Sequence, residues 1–192
     1  MVILASAVVI LASASPRRRE LLARLIRDFV VVPSNVDEAL AAPITPAPVA
    51  ALALRKARAV AGRVTEGVVL GADTIVVVDG QPLGKPTSHD DARAMLRRLR
   101  GRSHEVITGV GVVDAASRRE AATAVVTRVF MASFTDQAID DYVATGEPFD
   151  KAGAYAIQEK GSDLVAGYVG SYTNVVGLPL DATRRLLRDF GV

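Results

Sequence analysis

The 192-residue chain contains no cysteine and no tryptophan, only two histidines, and aromatic residues at 5%. Without cysteine there can be no disulfide and no thiolate metal site. His89 and His104 alone cannot build a multi-histidine zinc site. Any metal would be held by carboxylate oxygens, a donor set that favours Mg²⁺ or Mn²⁺. The shortage of aromatics leaves little material for a platform on which single-stranded nucleic acid could stack. Long hydrophobic runs are also scarce. The longest stands at the start, MVILASAVVILASA, with VILASA occurring twice. It is too short to span a bilayer as a helix and lacks the basic flank of a signal peptide. It reads as a buried first strand preceded by an extension that copies it, residues 1–7.

Half of the residues are hydrophobic, enough to build a substantial core and to argue against disorder. A single domain over 1–192, soluble and cytoplasmic, is the expectation. Net charge is only +2, but arginine outnumbers lysine nineteen to four. A position that retains lysine in such a chain is a candidate for chemistry of its own, and Lys56, Lys85 and Lys151 all lie in notable places.

Apolar runs of strand length alternate with helical patterns, which predicts an α/β fold. Strands are expected at Val8–Ser13, Phe29–Val32, Val68–Val78 (one bent strand or two in succession), 104–114 and 120–133. Helices are expected at Pro16–Arg27, Ala47–Val64, about Asp90–Arg100, Thr135–Ala144 with Thr135 as N-cap, and Leu180–Phe190. Residues 33–46 form a Pro-rich loop carrying Asp37 and Glu38, residues 79–87 form a second loop, and 145–178 is Gly-rich with short strands. The short link near Ala115–Arg119 implies an antiparallel pair, hence a mixed sheet.

Five places carry chemistry. Ser13-Ala14-Ser15-Pro16-Arg17-Arg18 joins the first strand to the first helix, with Ser15 as N-cap and Pro16 in the first turn. A helix N-terminus attracts anions, and two arginines add forked donors for phosphate. Their charge opposes the helix dipole, so the segment is either a solvated basic start or an anion site. Lys56 falls on the apolar face of its helix, among Val49, Leu52, Ala53 and Val60. From there it either snorkels to a surface or turns into a cleft. Gly71-Ala72-Asp73-Thr74 places a carboxylate inside an apolar run, where it must be paired, hydrogen-bonded or metal-bound; it reads either as a strand-end aspartate of a ligand site or as a turn aspartate. Gly84-Lys85-Pro86 holds a lysine in a rigid turn able to return towards Asp73. Finally, residues 149–158 set Asp150, Lys151, Tyr155 and Gln158 around Gly153, with Gln158 either an ordinary strand glutamine or a reader of a base edge. Arg93, Arg97, Arg98, Arg100 and Arg102 read as a solvated basic face whose charges follow the dipole rule.

Taken together, VILASASPRRRELL, NVDE, ALRKA, GADTIVVVDGQPLGKP, ITGV, YVATGEPFDKAGAYAIQ and GSYTNVVGLPL resemble the Maf family of nucleotide pyrophosphatases, in order and over nearly the whole chain. The resemblance implies an elongated mixed β-sheet flanked by helices, with two lobes around a deep cleft. It implies metal-dependent cleavage between the α- and β-phosphates of a nucleoside triphosphate, with Mg²⁺ or Mn²⁺ as cofactor. By motif, Ser13, Arg17, Arg18, Lys56 and Lys85 would hold phosphates. Asp73 would be the catalytic carboxylate, assisted by Lys56, Lys85 and Arg18, and Glu38 would join Asp73 as a metal ligand. Arg17, Thr74 and Gln158 match positions associated with substrate choice, in the pattern of the branch acting on dTTP and UTP. The resemblance is compatible with a homodimer and implies no membrane or nucleic-acid partner. Three rival readings remain at this stage: a nucleotide-binding regulator of cell division, a nucleic-acid-binding protein, and a pyrophosphatase for another modified nucleotide such as methylated GTP.

Overall fold

The computed structural model describes residues 8–192, so the expected extension over residues 1–7 lies outside the described residues. Among the described residues, seven strands form one mixed sheet. β1 (Val9–Leu11) lies between β2 (Phe29–Val31) and β3 (Val68–Val78), parallel to both. β3 continues antiparallel into β5 (Ser103–Asp114), which pairs with β6 (Glu120–Met131), which pairs with β7 (Val165–Val169). A short β4 (Gln81–Leu83) doubles back on the far end of β3, within the segment expected to be a loop. The apolar run 68–78 is thus one continuous strand, long enough to meet β1 at one end and β4 at the other.

That arrangement creates the decisive gap. On one edge of β3, residues 68–70 pair with β1 and residues 76–78 pair with β4. Among the described residues, 71–75 between them have no strand neighbour on that side. Asp73 therefore sits in mid-strand, not at the strand end the sequence suggested, but just beyond the carboxyl end of β1. The end of a parallel strand is where open α/β sheets build their crevices.

Alternation along β3 and β5 sorts the core into two faces. Val68, Leu70, Ala72, Val76, Val110 and Val112 point to one face, which is covered by α1 (Pro16–Ala23), α3 (His89–Leu99), α4 (Asp136–Ala144), α5 (Tyr172–Val176) and α6 (Leu180–Asp189). Val69, Val77, Ile107 and Val113 point to the other, where α2 (Pro46–Ala61) lies across the sheet. Leu11, Leu22, Leu70 and Leu178 are fully buried, each contributing roughly 1.5–3 kcal/mol through burial.

On the α2 face, the apolar lining is interrupted by Gly71, Gly109 and Gly111. A methyl group on Gly71 would meet the Ala57 nitrogen at 2.7 Å, and one on Gly111 would meet the Leu54 Cα at 2.5 Å. These bare positions let the α2 backbone rest directly on the strands. Gly71 and Gly111 are cross-strand partners, as are Asp73 and Gly109. The close approach is therefore centred on Asp73.

Helix ends follow their local chemistry. The side chains of Ser15, Ser88 and Thr135 cap α1, α3 and α4 by accepting backbone N–H bonds. α1 is shorter than the apolar pattern suggested, and the 145–178 stretch holds three 3₁₀ turns, β7 and α5. The basic face of α3 is not free: Arg93 binds Asp140 at 2.6 Å, Arg100 binds Asp136 at 2.8 Å and Arg102 binds Asp79 at 2.7 Å. Its charge is matched by neighbouring aspartates. No helix among the described residues is long and apolar enough to cross a membrane.

Candidate active site

The gap beside β3 opens into a cleft of about 420 Å³ lined by residues from the β1–α1 link, α1, the 33–38 loop, α2, β3, the β4–α3 loop, β5, the 150–158 segment and the end of α5. This volume falls within the usual range for a small-molecule site. The residues to which the family resemblance gives roles all line it: Ser13, Arg17, Arg18, Glu38, Lys56, Asp73, Thr74, Lys85 and Gln158.

Lys56 is the centre of charge. Its side chain is 4% exposed, and its ammonium donates to Glu38 Oε1 at 2.6 Å and to Asp73 Oδ1. Of the two readings of its helix position, snorkelling is excluded: the side chain turns into the cleft. The glycine patch under α2 explains the reach, because Ala53 and Ala57 flank Lys56 on the helix and both press against Gly71. Partial burial raises the Glu38 carboxyl, but the adjoining Lys56 ammonium, with Arg18 and Lys85 beyond it, brings its pKa below the ordinary value.

Arg18 occupies the opposite wall. Its Nε donates to the Gly177 carbonyl at 2.9 Å, Nη1 to Ser13 Oγ at 3.2 Å and Nη2 to Thr74 Oγ1 at 3.1 Å. Three of its five N–H groups are thereby spent on fixing its plane, leaving one on each terminal nitrogen. Burial lowers the pKa of its guanidinium, with Asp73 and Glu38 acting to restore it and Arg17 acting to lower it further. Ser13 accepts both from Arg18 and from the Ser15 N–H at 3.3 Å. With both lone pairs engaged, its hydroxyl proton is available to the cleft.

Asp73 and Thr74 are consecutive in a strand and so point to opposite faces of the sheet. Both nevertheless line the cleft, because the cleft straddles the unpaired edge of β3. The sheet edge thereby offers a carboxylate with a bridging lysine on one side and an arginine held by hydroxyls on the other.

The cleft mouth is crossed by an ion pair. Arg17 Nη1 donates to Asp150 Oδ2 at 2.8 Å, and Lys151 donates to Asp150 Oδ1 at 2.6 Å. The basic start of α1 is thus compensated from across the cleft, a partner that local sequence could not reveal. Partial burial raises the Asp150 carboxyl, and Lys151 and Arg17 more than reverse this. Lys85 is exposed at the rim, and its loop is tied to the 150–158 segment by the Gly153 N–H bond to the Gly84 carbonyl, 2.9 Å. Gln158 is half-buried, between Ile157 and Glu159, the latter at a positive φ of 56°. Ala154, at φ 60°, is likewise held in the left-handed region, a conformation that costs about 1–3 kcal/mol for a non-glycine residue and clusters at functional sites. Tyr155 lines the cleft with its ring, but its hydroxyl turns inward to His104 Nε2 at 2.7 Å. It has no phenol to offer a ligand.

Among the described residues, no three His, Cys, Asp or Glu side chains converge as a ready-made metal cage. Glu38 and Asp73 do converge on the Lys56 ammonium, and among the described residues their second oxygens have no hydrogen-bond partner. Two carboxylates beside an anion site suit Mg²⁺, which is bound through one or two carboxylates together with substrate phosphates and water.

The family model described as "Maf-like protein" matches residues 8–190. The chain belongs to the Maf-like family. Proteins named dTTP/UTP pyrophosphatase are similar to it along nearly their full length. That of Moorella thermoacetica is 55% identical over 184 residues, covering 95% of each chain. That of Pelotomaculum thermopropionicum is 49% identical, covering 95% of this chain and 96% of its own. That of Thermococcus onnurineus is 51% identical, covering 95% and 97% respectively. The Maf-like cleft also contains groups that the sequence reading did not single out. The Gly177 carbonyl and the Thr108 hydroxyl both act on the Arg18–Thr74 pair, and their only trace in sequence was membership of the ITGV and GSYTNVVGLPL stretches.

Proposed function

We propose that this Maf-like protein hydrolyses dTTP and UTP to the monophosphate and pyrophosphate. The observation that carries the reading is the Lys56 ammonium seated between Glu38 and Asp73, opposite an arginine with two N–H groups to spare. A carboxylate and concentrated positive charge face each other across a space of nucleotide size. The names of the similar proteins supply the substrates.

In this reading the triphosphate tail lies along the unpaired edge of β3. Arg18, presented by Ser13, Thr74 and Gly177, binds phosphate oxygens through its two remaining N–H groups. Ser13 donates its hydroxyl proton to another, and Arg17, Lys56 and Lys85 add charge. Asp73 orients an attacking water and accepts its proton as the water oxygen bonds to the α-phosphorus. The bond from the α-phosphorus to the bridging oxygen breaks, and pyrophosphate leaves with its charge neutralised by Arg18, Lys56 and Lys85. Glu38 and Asp73 would hold Mg²⁺ or Mn²⁺, which when bound supplies Lewis acidity and lowers the pKa of bound water. Gln158, a neutral donor and acceptor in the cleft lining, reads the base, and Arg17 contributes to substrate choice. Work in the cytoplasm, where nucleoside triphosphates are made, fits this chemistry.

The test is a panel of dTTP, UTP, CTP, GTP, methylated GTP and ATP with Mg²⁺ or Mn²⁺, separating pyrophosphate from orthophosphate. Pyrophosphate chiefly from dTTP and UTP, abolished by Asp73→Asn with nucleotide binding retained, is expected. Tight binding without turnover of any nucleotide would favour a sensor instead.

A further inference from the structure

Thr74 touches Arg18, but the hydrogen bonds around it leave its hydroxyl little freedom. Its cross-strand partner on β5 is Thr108, fully buried, and the two hydroxyl oxygens are 3.0 Å apart. Thr108 Oγ1 also lies 2.9 Å from the Asn174 backbone carbonyl. A carbonyl can only accept, so the single Thr108 proton goes to Asn174. The Thr108 oxygen must then accept from Thr74, since two lone pairs facing each other at that distance would repel. The Thr74 proton is thus committed to Thr108, and the Thr74 oxygen presents a lone pair to Arg18 Nη2. The other acceptor near Thr74, the Gly177 carbonyl at 3.4 Å, is also part of the protein. In either direction Thr74 has no proton to give a ligand.

Asn174 makes the chain of bonds directional because it is itself immobilised. It is fully buried, and its Nδ2 donates to the Val106 carbonyl at 2.9 Å and to Thr127 Oγ1 at 3.0 Å. Thr127 in turn receives the Ser171 N–H at 3.0 Å and donates to the Ser171 carbonyl at 3.1 Å. α5, which begins after Ser171, is thereby pinned to β5 and β6, and its end supplies the Gly177 carbonyl that holds Arg18 Nε. Two of the three groups that fix Arg18 trace back to one buried network.

We propose that Thr108 is a positioning residue for the phosphate-binding arginine. By taking the Thr74 proton it sets the lone pair that orients Arg18, and Thr74 acts on the substrate through Arg18 rather than by reading the base. The proposal rests on the pyrophosphatase reading above and deepens it.

The experiment compares Thr74→Val, Thr108→Val, the double variant and Thr108→Ser for pyrophosphate release from dTTP, UTP and CTP, with thermal midpoints measured in parallel. A misplaced phosphate clamp costs on the order of tenfold or more in kcat/KM. Thr108→Val is expected to lose that factor equally for all three nucleotides, and Thr108→Ser to recover most of it. The double variant should be no worse than the more impaired single one, since both remove the same link. If Thr108→Val is too unstable to assay, Thr74→Val carries the test by the same uniform loss. A lower midpoint with unchanged kcat/KM for Thr108→Val would overturn the proposal. So would a Thr74→Val loss confined to one base. If the unaltered protein releases no pyrophosphate at all, the reaction assigned above fails, and binding of inorganic pyrophosphate measured by calorimetry replaces turnover. Weakening by Thr108→Val of similar size would uphold the positioning role, and unchanged binding would end it.

Discussion

Replacing Gly71 with alanine tests how the fold delivers Lys56 to Asp73. The new methyl carbon would stand 2.7 Å from the Ala57 nitrogen and 3.2 Å from the Ala57 methyl. Ordinary separation between such atoms is about 3.5–4.0 Å, so α2 and β3 must part by roughly 1 Å. Overpacking of this kind costs about 1–3 kcal/mol. For a chain of this size, at about 2–4 °C per kcal/mol, the thermal midpoint should fall by about 2–12 °C. The functional loss should be larger than the stability loss implies. A shift of about 1 Å in a catalytic group is associated with about a hundredfold drop in rate, and Lys56 lies on the displaced stretch of helix. The assay is thermal unfolding together with pyrophosphate release well below the midpoint, so that unfolded protein does not contribute. Gly167→Ala on β7 is the control, because a methyl group there meets nothing within 4 Å. A Gly71→Ala protein with normal stability and normal turnover would refute the idea that bare strand positions set the Lys56–Asp73 geometry.

Two further outcomes follow from the same geometry. His104 is buried, and burial lowers its pKa from 6.5 to about 4. Because the folded value lies below the unfolded one, the stability it contributes is complete above about pH 6.5 and declines as pH falls towards 4; by linkage this is about 3 kcal/mol. Unfolding midpoints of the unaltered protein and His104→Gln, followed from pH 7 to 4.5, should show a steeper acid loss in the former, and parallel curves would contradict the assignment. Gln158→Ala should alter the ratio of dTTP to CTP turnover more than the maximal rate, in contrast to the uniform loss expected from Thr74→Val; a uniform loss here would remove Gln158 from base reading.

Much of the site was legible in sequence because its residues violate local rules. A lysine on the apolar face of α2 and an aspartate inside an eleven-residue apolar strand both require partners, and the structure makes them each other's. The helix start at Ser15-Pro16 was equally plain, since capping chemistry is local. What could not be read was whatever depends on distant segments. Asp150 neutralises Arg17 across 133 positions of sequence, and no periodicity announces it. Thr108 sits in a strand that reads as ordinary apolar sheet, and its role exists only because cross-strand register sets it opposite Thr74. The mid-strand position of Asp73 escapes local pattern for a related reason: the gap beside it is created by where β1 stops and β4 starts, not by any break in β3. The arginines of the α3 face are wholly or partly solvent-exposed as their pattern predicts, but most of their aspartate partners lie on α4 and in the turn after β3, where local sequence does not reveal them.

Attack of water at the α-phosphorus is tested most directly by turnover of dTTP in water enriched with oxygen-18, with mass analysis of both products. One heavy oxygen is expected in the thymidine monophosphate and none in the pyrophosphate. Label in the pyrophosphate would place the attack at the β-phosphorus, and release of orthophosphate would place the cleavage at the other anhydride. Either result would contradict the roles given to Asp73 and Arg18.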